Sequence, residues 1–146
     1  MSERTPQRRC WGAKTRIRYV AGVDPKRLAQ SVGIARIAFG IGFITMPGWT
    51  GRIWIGSDSH RPAVKVLTQA IGARDLLMGM GTLMAMRRGR RARGWLEAIS
   101  LTDVLDFTCG LLAGDRIPPA SRATVLVLAG GSAVQAAVAA RGVDAS

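Results

Sequence analysis

QAIGARDLLMGMG, residues 69–81, sets Arg74 and Asp75 side by side among Ala, Gly, Leu and Met. Read as a helix, the surrounding run places Thr68, Gly72, Asp75, Gly79, Thr82 and Met86 at alternating steps of four and three, so one face is almost entirely small or polar. In lipid, small residues let helix backbones approach closely and hydroxyls bond across helices. This face therefore points at protein, and the charges belong to the inside of a bundle.

Working outward, the charge of the chain is blocked. Its 146 residues carry 21 Lys and Arg against 9 Asp and Glu, a formal net charge of +12. Such a balance points to nucleic acid or an anionic membrane surface. Eight of the basic residues lie in residues 1–28, and five more in RRGRRAR, residues 87–93. Between the blocks, residues 37–51, 76–86 and 123–140 carry no charge. Basic blocks separated by uncharged runs are a membrane pattern, and no nucleic-acid-binding module is readable, so nucleic acid is not an expected partner.

A membrane-crossing helix needs about 20 mostly apolar residues. Four stretches approach this, at about 28–46, 63–86, 95–113 and 120–140. Pro47-Gly48 ends the first, and Gly114, Pro118 and Pro119 break the chain between the last two. Lys and Arg are retained on the cytoplasmic side. With the N-terminus inside, 8 + 5 + 1 = 14 basic residues fall inside and 5 outside, while Arg36 and Arg74 fall within the spans. Trp49, Trp54 and Trp95 fall near span ends, the headgroup level that tryptophan favours. The expected fold is an all-α, four-transmembrane-helix bundle in the plasma membrane with both termini cytoplasmic. Residues 1–27 form a basic segment in the cytoplasm or on the membrane surface, 28–140 the bundle, and 141–146 a short tail. Anionic lipids are the expected partners of the N-terminal segment and the 87–93 loop, with a homo-oligomer or a larger membrane complex as further partners. A soluble helical bundle is the competing class; a mean hydropathy of only +0.16 speaks for it.

Charges inside a bilayer cost several kcal/mol unless they are paired or hydrated. Five residues are therefore expected to converge: Arg36, Arg74, Asp75, Asp103 and Asp106. At 1.5 Å per residue, Arg36 and Asp103 lie about 12 Å from the inner ends of their spans, Asp106 and Arg74 about 17–18 Å. Equal depths predict Arg36 beside Asp103 and Arg74 beside Asp106, with Asp75 near either arginine. Arg74 and Asp75 differ by about 100° around the helix, so each is expected to reach a different neighbour rather than the other. Two arginines against three aspartates leave a net charge of minus one. A protonated acid, a cation or a donor-bearing ligand would balance it.

Other polar residues have plainer expectations. Glu97 should pair with the 87–93 loop, Gln135 should bond between helices, His60 should be a solvated loop residue, and Ser59 is a possible cap for a helix starting at Pro62. Cys10 and Cys109 have no CxxC spacing and no neighbouring His, so neither a metal site nor a disulfide framework is expected. The short likeness of ARIAFGIG (35–42) to ARDLLMGMG (73–81) reads as shared Gly/Ala bias.

The stretches ARIAFGIGFITMPGWTGRIWIG (35–56), QAIGARDLLMGMGTLMAMRRG (69–89), RGWLEA (93–98) and DVLD (103–106), with Arg61-Pro62, resemble an uncharacterised family of small bacterial four-helix integral membrane proteins. The GARDL and D-x-x-D motifs are its most specific part. The architecture is similar to that of DoxX-like membrane proteins. The resemblance implies a four-helix membrane fold over residues 28–140 and brings no activity or ligand with it.

Three functions follow in order. The first is a non-enzymatic accessory or partner subunit held together by a buried Arg/Asp network. The second is a small-solute or proton-linked membrane binding or transport protein. The third is a DoxX-like redox protein, weakened by the lack of any flavin, haem or nicotinamide motif, because GIGF and GMG lack the strand-turn-helix context of a dinucleotide site. No cofactor is expected.

Overall fold

A computed structural model describes residues 24–144 as an all-helical chain, with no strand among the described residues. The basic segment 1–23, with Cys10, Trp11 and most of the first charge block, and residues 145–146 lie outside the described residues.

Four long helices fall on the four apolar stretches: α1 Pro25–Thr45, α3 Pro62–Arg87, α4 Arg93–Ala113 and α5 Pro119–Gly142. A short α2, Pro47–Ile55, occupies the stretch between the first two expected spans. Pro47 explains both facts. It cannot continue α1, but its fixed φ and missing N–H suit the first position of a new helix. Pro25, Pro62 and Pro119 likewise open α1, α3 and α5. The Asp24 side chain caps α1 by accepting from the Lys26 N–H at 2.9 Å. Ser59 does not cap α3. It is buried against Gly51, its hydroxyl has no partner among the described residues, and Arg61 stands at the helix start without a side-chain cap.

Connections are tight. Gly56, Gly89 and Gly114 take positive φ after α2, α3 and α4, a conformation that glycine adopts without steric cost. After α3, the Arg90 N–H reaches back to the Ala85 carbonyl at 2.8 Å. Asp144, just past α5, accepts from the Ala92 N–H at 3.1 Å and ties the start of α4 to the end of the chain.

The helices pair as α1 with α3 and α4 with α5, joined along an α1/α5 seam, whereas α3 and α4 meet thinly. Small residues set the first pairing. A Cβ on Gly79 would lie 2.6 Å from the Gly33 carbonyl oxygen, and one on Gly40 would lie 2.7 Å from that of Gly72. Backbone therefore rests on backbone at two points. Both segments thus contribute small residues to the same close approach.

The burial pattern is inverted relative to a water-soluble bundle. The buried face of α3 is Thr68, Gly72, Asp75, Gly79, Thr82 and Ala85, and that of α5 is Ser121, Val125 and mainly alanines. Large apolar side chains instead point outward on every long helix, including Ile34 and Ile41 on α1, Leu77 on α3, Leu112 on α4 and Val127 on α5. Leu96 and Ile99, packed with Ala29, Ala136 and Ala139, and Phe43 on α1 are the large exceptions.

By length and composition, α1 and α5 are the two described helices able to cross a membrane, with mean hydropathies of 1.5 and 1.7. The expectation of four such stretches is thus met by two on this measure. Arg74 and Asp75 depress the average in α3, and Glu97, Asp103 and Asp106 in α4.

Candidate functional site

The five charged residues come together between the two helix pairs. Arg36 is carried inward by the Gly33–Gly40 face of α1, where its guanidinium is almost fully buried. Its Nη1 donates to Asp75 Oδ1 on α3 at 2.9 Å. Its Nη2 donates to Asp103 Oδ2 on α4 and, at 2.9 Å, to Ser132 Oγ on α5. One side chain thus touches all three other long helices.

Arg74 forms the second node. Its Nη2 donates to Asp106 Oδ2 at 2.8 Å, and both Nε and Nη2 lie 3.3 Å from Asp75 Oδ1. The pairings Arg36 with Asp103 and Arg74 with Asp106 are those that equal depth predicts. Arg74 and Asp75 reach different helices, α4 and α1, as expected, but they also touch each other, which the expectation excludes. The arginine stem is long enough to fold its head back over the neighbouring carboxylate while still reaching α4, so Asp75 Oδ1 accepts from both arginines.

Depth divides the cluster. The Arg36–Asp103 pair is 9% and 3% exposed, and the Arg74–Asp106 pair 30% and 29%. The half-open pair borders a cavity of about 400 Å³, lined by all five charged residues, Ser132 and Gln135. Ligand pockets run from about 300 to 1,000 Å³. The cavity walls are otherwise apolar, with Phe39, Phe43 and Trp54 on one side and Val127 and Leu128 on another. The three rings interlock edge to face, with centroids 6.2 Å apart for Phe39–Phe43 and 5.9 Å for Phe43–Trp54.

Asp75 and Asp106 each meet arginine through one oxygen. Their second oxygens accept no hydrogen bond from a described residue, and neither is sealed away from the cavity. The cluster therefore presents free acceptors to the cavity, while most of the arginine donors turn toward the carboxylates. Among the described residues no group of His, Cys, Asp or Glu is arranged to hold a metal ion.

Ser132 escaped sequence reading, as did the three-ring wall. Ser132 and Gln135 are three residues apart in the uncharged run 123–140, hence on one face of α5. That polar pair in an Ala/Val-rich helix was the available signal. Gln135 lines the cavity instead of bonding between helices. Glu97 pairs with Arg93 at 2.7 Å on the exposed start of α4, and His60 is exposed in the turn Ser57–His60.

Comparisons of the chain with protein-family models, with curated proteins and with solved structures gave no match.

Proposed function

We propose that this chain is a multi-pass plasma-membrane protein, crossed four times by α1, α3, α4 and α5 with both termini cytoplasmic, and that its Arg/Asp cluster and cavity bind a small solute within the bilayer. The burial pattern carries the reading: large apolar side chains face outward on all four long helices while the charges turn inward around a cavity. Mean hydropathy averages over the whole circumference, whereas lipid meets only the outer face. On α3 and α4 that outer face includes Leu67, Leu77, Met84, Leu101, Leu105 and Leu112. With 26 and 21 residues these helices are about 39 and 31 Å long, enough for a hydrocarbon core of about 30 Å.

An unpaired charge at mid-bilayer costs about 3 kcal/mol on insertion scales, so the mutual pairing of Arg36, Arg74 and three aspartates is what makes such helices tolerable in lipid. The resemblance to small four-helix membrane proteins agrees with this reading. Retention of the protein in membranes after salt and alkaline washes tests the first half, and release into the soluble phase contradicts it. For the second half, Asp106→Asn should abolish solute-induced stabilisation of the detergent-solubilised protein while the helical fold survives.

A partner-subunit function is the second reading, favoured by the thin α3/α4 contact that the Arg74–Asp106 pair spans. There the cluster is a lock that fixes helix positions for assembly. Intact-mass measurement of the membrane-extracted protein distinguishes the readings, because only this one requires a second protein species in the complex.

A further inference from the structure

The chemistry of the cavity narrows its occupant. The cluster carries two arginines and three aspartates, a net charge of minus one, and a free anion would add to that excess. Most guanidinium donors that an anion would need are engaged, Arg36 through Nη1 and Nη2 and Arg74 through Nε and Nη2, which leaves Arg74 Nη1 as the donor facing away from the carboxylates. The charged groups left open are the second oxygens of Asp75 and Asp106, beside Arg74 Nη1, and the Gln135 amide adds one acceptor and a donor pair, so the balance of open charge is acidic. A bare metal ion is not suited to this geometry, since the three aspartates turn to the arginines and no acidic group among the described residues is arranged to hold one.

The walls add a second selection. Phe39, Phe43 and Trp54, linked edge to face, line the same cavity, and aromatic side chains bury large apolar area against the apolar body of a ligand. Apolar walls also exclude strongly hydrated ions, which lose more solvation than this site returns.

Resting on the small-solute reading above, we infer that the cavity takes an organic monocation, with its ammonium head on the open carboxylate oxygens and its apolar body along the Phe39–Phe43–Trp54 wall. The cation supplies the missing charge, so protein and ligand together are neutral inside the bilayer.

Gly131 offers a way to block the site without touching the ions. It lines the cavity on α5, and a Cβ placed there meets nothing within 4 Å. Gly131→Leu therefore projects a side chain into the cavity from a position whose Cβ is clear of the network and of the neighbouring helices.

The test uses the full chain in neutral detergent, with three probes of similar shape: 2-phenylethylamine, protonated at neutral pH, 2-phenylethanol and 3-phenylpropionate. Binding is measured by titration calorimetry and by ligand-dependent thermal stabilisation. The expected result is that the amine binds roughly tenfold or more tightly than the alcohol, that the propionate does not bind, and that Gly131→Leu abolishes amine binding with the melting temperature retained. Asp103→Asn, which brings the cluster to neutrality, should erase the preference for amine over alcohol. Equal binding of amine and alcohol would show that a proton already balances the cluster and would overturn the monocation inference while leaving the small-solute site standing. Preferential binding of propionate, or amine binding unaffected by Gly131→Leu, would overturn the inference as well. No binding of any probe would count against both the inference and the site.

Discussion

Arg74 spans the weakest seam of the bundle: its Nη2 donates to Asp106 Oδ2 across α3 and α4 at 2.8 Å, while Asp75 Oδ1 on its own helix lies 3.3 Å away. Elsewhere these two helices meet where the Trp95 ring lies over Gly81 and where the Thr102 hydroxyl approaches the Met78 sulfur. Arg36 occupies the opposite situation, buried and bonded to three helices.

The two arginines should therefore differ in energetic weight. Arg36→Met leaves Asp75 and Asp103 buried without their main donor, a change expected to cost about 3–5 kcal/mol. Arg74→Met opens a half-exposed pair, which water or the cavity can relieve, and is expected to cost about 1–2 kcal/mol. Unfolding titrations in mixed detergent micelles measure both. Equal losses would contradict the depth-graded network described above.

The α1/α3 pairing depends on absent side chains. At Gly79 and Gly40 an added Cβ would press on backbone, 2.6 and 2.7 Å from carbonyl oxygens that cannot swing aside. Gly79→Ala and Gly40→Ala should each lose about 1–3 kcal/mol. A methyl group added at Gly94 on α4 would meet nothing within 4 Å, so Gly94→Ala should be neutral or gain up to about 1 kcal/mol from helix propensity. Thermal melts of the three variants provide the comparison.

Trp95 gives an optical report on the α3/α4 seam. A Cβ at Gly81 would sit 2.7 Å from three atoms of the indole ring. In a background with Trp11, Trp49 and Trp54 replaced by Phe, Gly81→Val should displace the ring and shift its emission maximum. An unchanged spectrum would mean that the ring does not rest there.

Much of this arrangement was legible in the sequence because a helix converts spacing into direction. Steps of three and four put Thr68, Gly72, Asp75, Gly79 and Thr82 on one buried face, and counting residues from the span ends matched Arg36 with Asp103 and Arg74 with Asp106. What spacing does not encode is the reach of a side chain. Arg74 therefore contacts its neighbour Asp75 despite pointing about 100° away at the backbone. The break at Pro47 was visible, but a proline that ends one helix equally well begins another, and α2 followed. The cavity was not legible, since its aromatic wall joins Phe39 and Phe43 on α1 to Trp54 on α2, an assembly that exists only after the chain turns at Met46. Hydropathy along the chain averages the inward-facing charges of α3 and α4 together with their outer faces, so it separates these two helices from α1 and α5.

The number of membrane crossings tests the central claim most directly. With native Cys10 and Cys109 changed to Ser, single cysteines at Ser57, Gly89 and Asp115 can be exposed in intact cells to a membrane-impermeant thiol reagent. Four crossings place the loops around Ser57 and Asp115 outside and the turn at Gly89 inside, so the first and last should label and Gly89→Cys should label only after permeabilisation. Were α1 and α5 the sole crossings, Gly89→Cys would label from outside together with the others, and the intramembrane Arg/Asp site would be contradicted.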